Sequence, residues 1–135
     1  KTLFGQALLV DCHSMPREAL QHVKTPNGAR PEIVIGDRYG ASASSALVDG
    51  IEAAFRAEGF EVLRNVPFAG AYISQHYGRP RQRQHCVQVE IDRSLYMDEK
   101  TLIPSIDFDD VKLRLSGAAR RIAQLDTGRL PLAAE

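Results

Sequence analysis

The side chains best suited to do chemistry in this chain are an imidazole and a carboxylate. They are His13 in LLVDCHSMP (8–16) and Glu90 in HCVQVEID (85–92). The first stretch is an apolar run that ends in an acid, a thiol, an imidazole and a hydroxyl before Pro16. An imidazole leaving the end of a central strand can ligate zinc through one ring nitrogen while an acceptor holds the other. The plain alternative is a histidine satisfied by loop carbonyls. Asp11, on the same side of a strand by the period of two, is a candidate for that acceptor, whereas Cys12 points the other way and reads as core. Glu90 sits between a valine and an isoleucine, where a carboxylate must be paired, metal-associated or neutralised. Its face also carries Gln88 and Asp92, so an edge strand with one solvated face stays open as an alternative.

Arg38, Asn65 and Arg93 form a second group. An arginine after a strand offers a planar fork suited to a carboxylate, and an asparagine can support it with an amide donor. Ordinary surface pairing is the alternative for each and the preferred reading for Arg93. Tyr72 and Tyr77 lie between Gly70 and Gly78, in a segment that suits a flexible lid or aromatic anchors packing a loop down. Cys12, His13, His85 and Cys86 carry zinc-type donors, but neighbouring donors on a strand face opposite ways and no C-x-x-C turn is present. Ser14 beside His13 lacks the G-x-S-x-G surroundings of a hydrolase nucleophile.

The elements that must position these groups follow from the pattern. QALLVDC (6–12) reads as a strand buried on both faces, and 13–31, with its prolines and TPNGARP, as a long surface loop. EIVIG (32–36) is a second strand, and the serines of DRYGASASS supply N-cap candidates for a helix over 45–58. In that helix Leu47, Ile51 and Phe55 recur four apart, and Gly59 is its stop. Residues 60–65 form a third strand and 66–84 a loop. HCVQVEID (85–92) alternates as a fourth strand, and a last helix covers 108–126 with Asp107 as cap and Gly128 at its end. Strands separated by helices and long loops predict an α/β domain whose sheet is mostly parallel or mixed and flanked by helices. In such a sheet ligands sit beyond the carboxyl ends of the strands. His13-Ser14, Asp37-Arg38 and Asn65 each follow a strand, which predicts their convergence there.

The totals narrow the function classes. The chain has 135 residues, 44% hydrophobic and 25% charged, which is the composition of one ordinary globular domain. Seventeen basic residues balance seventeen acidic ones, so no global field attracts nucleic acid or anionic lipid. Arg79, Arg81 and Arg83 form only a short basic patch. No run approaches the ~20 apolar residues of a membrane span, and no signal-peptide pattern is seen. Two cysteines in strand-like runs argue against a disulfide framework. The expectation is a cytoplasmic domain with reduced thiols and no membrane or nucleic-acid partner.

LLVDCHSMP, PEIVIGDRYGAS, NVPFAGAYISQHYGRP and HCVQVEIDRSLYMDE resemble, in order, the motifs of the N-formylglutamate amidohydrolase family, over residues 8–99. The resemblance implies a zinc carboxypeptidase-like fold and hydrolysis of N-formyl-L-glutamate to formate and L-glutamate, a step of histidine catabolism. It implies His13 as a zinc ligand, Glu90 as the catalytic general base, and Arg38, Asn65 and Tyr72 as substrate-binding residues around a small acidic N-acyl amino acid. Family members carry an earlier P-H-S-G-like motif and an acidic residue that supply the other zinc ligands, and His22, His76 and His85 have no matching context here. Residues 1–135 are therefore expected to be a single unit, the C-terminal part of an amidohydrolase-like domain. Alone it is expected to lack a complete metal site and to be inactive, with an exposed sheet edge open to self-association. The alternative is a non-catalytic domain of the same fold that binds a small acidic ligand or a partner protein.

Overall fold

Segments rich in valine and isoleucine build one sheet, and their registers decide which polar side chains meet. The computed structural model describes residues 5–125. Its strands are β1 (Ala7–Met15), β2 (Ile33–Gly36), β3 (Val62–Arg64) and β4 (Gln84–Asp92), in the order β1-β4-β2-β3. β1 runs parallel to β4 and β2 parallel to β3, but β4 and β2 are antiparallel. The sheet is thus mixed, with helices against it.

The main core lies on one face. Val87 and Val89 of β4 and Ile33 and Ile35 of β2 pack against α1 (Ser45–Ala57) and α3 (Phe108–Ala123) through Val48, Ile51, Phe55 and Ala118. Burying each large aliphatic side chain there contributes about 1.5–3 kcal/mol. A smaller cluster of Met15, Leu20 and Val34, with Val23 and Phe68 beside it, covers part of the opposite face. α2 (Tyr72–Tyr77) also lies on that second face, where Ser74 approaches Cys86. α1 presents Leu47, Val48, Ile51, Ala54 and Phe55 to the core, as its spacing predicts, and Gly59 follows it in the left-handed region at φ 80°. Among the described residues no helix is long and apolar enough to cross a membrane.

Several expectations are corrected. β1 continues to Met15 because β4 runs beside it in register as far as Asp92, so His13 and Ser14 lie inside a strand and not in a loop beyond it. β1 is an edge strand and is not buried on both faces. Leu9 is exposed, and so is Cys12, which faces away from His13 but is left uncovered. β4 lies between β1 and β2 and is almost wholly buried, which removes the solvated-edge reading of Glu90. Because β4 enters antiparallel to β2, the carboxyl ends of β2 and β3 lie at the opposite end of the sheet from those of β1 and β4. The expected convergence beyond one set of strand ends is therefore not found. The 66–84 segment contains α2, which Gly70 and Gly78 obscure in the sequence. Ser44 and Asp107 occupy N-cap positions without side-chain capping bonds. At α1 the buried His85 takes that role, its Nδ1 accepting the Ser44 N–H at 3.2 Å. Burial, then the Arg83 charge, holds the His85 imidazole below its ordinary pKa, which keeps it a neutral acceptor. α3 ends at Ala123, and Gly128 lies outside the described residues.

Candidate active site

The register of β1 on β4 pairs His13 with Glu90 and Asp11 with Gln88. Directly paired residues of adjacent strands project to the same face, about 4.8 Å apart along the hydrogen-bonding direction. The face opposite the main core therefore carries an imidazole, two carboxylates and an amide side by side. Val34 of β2 closes the other flank of Glu90.

Glu90 is 8% exposed. Burial, the largest effect, pushes its carboxyl above the ordinary glutamate pKa; His13, the Gln88 hydrogen bond and Arg93 pull it back, and Asp11 adds to the rise. A carboxylate in that condition accepts a proton readily, as a general base must. His13 is half-exposed, and its Nε2 lies 3.0 Å from Asp11 Oδ2, an atom that is buried and has no well-formed hydrogen bond. The pair lies at the more exposed side of the site.

Arg93 departs from its expected surface role. Its Nε donates to Ser14 Oγ and its Nη2 to Ser14 O, both at 3.1 Å, which ties the end of β4 to β1 and places a cation among those acting on Glu90. Asp92 is buried, accepts the Ser94 N–H at 2.9 Å and turns the chain after the strand.

Arg38 and Tyr72 adjoin a different feature, the segment 69–71, and Asn65 braces the loop that carries Arg38. Gly36 ends β2 beneath it, so close that a Cβ at Gly36 would lie 2.6 Å from the Ala69 carbonyl carbon. Arg38 donates its N–H to Ala69 O at 2.7 Å, and its Nη1 reaches Gly70 O at 3.5 Å. Among the described residues its guanidinium forms no ion pair with a carboxylate. Arg38 and Tyr39 both hold φ 54°, a conformation unfavourable for side-chain-bearing residues. The buried Asn65 sustains it. Its Oδ1 accepts the Asp37 N–H at 3.1 Å and its Nδ2 donates to Asp37 Oδ1 at 2.7 Å. Asn65 thus shapes the Arg38 loop, and its amide is committed to Asp37. Tyr72 is exposed and stacks on His76, with ring centroids 5.2 Å apart. The segment joins the carboxylate through Gln88, whose role the sequence did not disclose. The Ala71 N–H donates to Gln88 Oε1 at 2.9 Å, and Gln88 Nε2 donates to Glu90 Oε1 at 2.8 Å.

A groove of about 1090 Å³ runs between β1 and α3, lined by Leu8, Val10, Cys12, Leu115 and Ile122. It reaches His13 and Ser14 but not Glu90, and it belongs mainly to the apolar face of the sheet. The groove and the buried carboxylate therefore lie in different places, and Glu90 with its titratable neighbours marks the candidate site.

The arrangement has relatives. The family model for N-formylglutamate amidohydrolase matches residues 1–97. An N-formylglutamate deformylase of Pseudomonas aeruginosa is 41% identical over 101 residues, 74% of this chain and 37% of its own length. One from Pseudomonas putida is 36% identical over 97 residues, 71% of this chain and 35% of the relative. The crystal structure of N-formylglutamate amidohydrolase from Ralstonia eutropha superposes with a TM-score of 0.81 at 34% identity, covering 91% of this chain and 44% of that one. The chain spans little more than a third of the length of its curated relatives. With the family model matching residues 1–97 and the fold superposing on a solved member, the chain belongs to the N-formylglutamate amidohydrolase family.

Proposed function

We propose that this chain carries the general base of an amidohydrolase that cleaves N-formyl-L-glutamate to formate and L-glutamate. The observation that carries the reading is the buried, proton-accepting carboxylate of Glu90 standing in register beside His13. Glu90 takes a proton from the attacking water as the new bond forms to the formyl carbon. It then returns that proton to the leaving nitrogen as the C–N bond breaks, so one water is consumed and the carboxylate regenerated. Arg38, held by the Asp37–Asn65 clasp and without a carboxylate partner among the described residues, is suited to bind a substrate carboxylate bidentately. Tyr72, next to Ala71, would flank the same ligand.

Zinc, which the resemblance implies, needs three or four protein donors. Among the described residues no three His, Cys, Asp or Glu side chains are grouped to hold an ion. These residues do not fit a complete zinc site, His13 is the donor that the resemblance implies, and no step above is routed through the metal.

The test uses the protein expressed from its native reading frame and measures formate release from N-formyl-L-glutamate. Glu90→Gln is expected to lower kcat by about 10²–10⁴-fold with folding intact. Turnover retained in that variant removes Glu90 as base. Binding of the substrate without formate release by the unaltered protein replaces the enzyme with a domain that only binds an acidic ligand.

A further inference from the structure

Gln88 is 4% exposed, and both ends of its amide are occupied. Those two bonds fix its orientation. A backbone N–H can only donate, so the Ala71 N–H, 2.9 Å away, requires the amide oxygen on its side. The amide nitrogen is then forced toward Glu90, where it donates to Oε1 at 2.8 Å. One carboxylate oxygen is thereby engaged, and Oε2 is left to meet a water molecule. The anchor is itself held by the surrounding backbone. Segment 69–71 rests on the bare backbone of Gly36, is held by the Arg38 N–H at 2.7 Å, and begins α2 at Tyr72. Gln88 is paired with Asp11 on one side and Gly36 on the other, so its strand position cannot drift.

We propose that Gln88 is a positioning residue for the amide hydrolysis, holding the Glu90 carboxylate in one rotamer and fastening it to the backbone segment that carries Arg38's contacts. This rests on Glu90 being the base. Gln88 touches no reacting atom and acts only through Glu90. It sets where the proton-accepting oxygen stands relative to a substrate bound at Arg38. An alkyl side chain of the same length would fill the space and leave the carboxylate to rotate, at the expense of catalysis and not of folding.

The experiment is a double-mutant cycle on the protein expressed from its native reading frame, with formate release and thermal melting as readouts. Gln88→Met is expected to lower kcat about 10- to 100-fold, since a misplacement of about 1 Å in catalytic geometry costs up to about 10²-fold, with KM within about threefold and melting retained. In the Glu90→Gln background the same change is expected to have no further effect on kcat, because the group it orients is gone. A structural role would lower kcat by the same factor in both backgrounds, and that result overturns the proposal. So does a Gln88→Met enzyme with kcat within about twofold of the parent. If Gln88→Met fails to fold, Gln88→Asn, which keeps the amide but is too short to bridge, is put through the same comparison with the same deciding outcomes. A Glu90→Gln enzyme that keeps full turnover refutes the base assignment itself, whereas an inactive Glu90→Gln beside an unimpaired Gln88→Met refutes only the role of Gln88.

Discussion

Replacing Gly36 by alanine probes the joint between the sheet and the Arg38 segment. An ideal Cβ there would lie 2.6 Å from both the Ala69 carbonyl carbon and the Gly70 nitrogen, and 2.9 Å from Ala69 O. Ordinary contact needs about 3.5–4.0 Å, so segment 69–71 must lift by roughly 1 Å. Two hydrogen bonds cross that gap, from the Arg38 N–H to Ala69 O at 2.7 Å and from the Ala71 N–H to Gln88 Oε1 at 2.9 Å. Lifted by that amount they exceed the bonding range of about 2.7–3.2 Å. Each lost bond costs about 1 kcal/mol, and overpacking of a tight site costs about 1–3 kcal/mol. The sum is about 3–5 kcal/mol, a large share of a domain stability of about 5–15 kcal/mol. Gly28→Ala is the control. Gly28 has φ +85° and nothing within 4 Å of a Cβ, so only left-handed strain of about 1–2 kcal/mol applies. Urea unfolding of both variants gives the two values, and amide exchange at Ala71 reports whether the segment has lifted. A Gly36→Ala loss below about 1 kcal/mol, or one smaller than that of Gly28→Ala, refutes the reasoning.

Two further outcomes are expected besides those for Glu90 and Gln88 in catalysis. Because burial raises the Glu90 pKa in the folded state, that state holds the proton more tightly than the unfolded chain does. The associated stability is present below the ordinary glutamate value and is lost as pH rises through the folded value. Glu90→Gln should therefore gain stability over the parent as the pH rises above the ordinary glutamate range, measured as urea midpoints, and a gap that narrows with rising pH contradicts this. Asn65→Ala removes both bonds to Asp37 and leaves a side-chain-bearing residue at φ 61°. It should cost about 3 kcal/mol, with Asn65→Gly about 1 kcal/mol milder, and equal losses would mean that the backbone is unstrained.

Local pattern and long-range pairing divide what the sequence disclosed. The α1 stripe, the Gly59 stop and the alternation of β4 are local, and each is legible in its own segment. Alternation also placed Gln88 on the face of Glu90. It could not say whether β4 was an edge or an interior strand, because that depends on which strands flank it. Strand direction was equally hidden. Strands and helices in succession suggest parallel pairing, yet β4 runs against β2, and this moves Arg38 and Asn65 to the far end of the sheet from Ser14. The meeting of His13 with Glu90 is a matter of register between distant segments, which only the resemblance hinted at. The Gln88 bridge and the Arg93 tie to Ser14 are contacts between remote residues and leave no local trace. α2 escaped notice because its six residues, flanked by glycines, are too short for a helical period to emerge.

β4 carries two messages on alternate residues. Val87 and Val89 insulate the interior, while Gln88 and Glu90 equip the site. A deletion of one residue within this strand would exchange the two sets, turning valines toward water and an amide and an acid into the hydrocarbon layer. Insertions and deletions there must disturb both the apolar core and the Gln88–Glu90 pair. Variation along β4 is thereby confined to substitutions, and the odd and even positions answer to different selective demands.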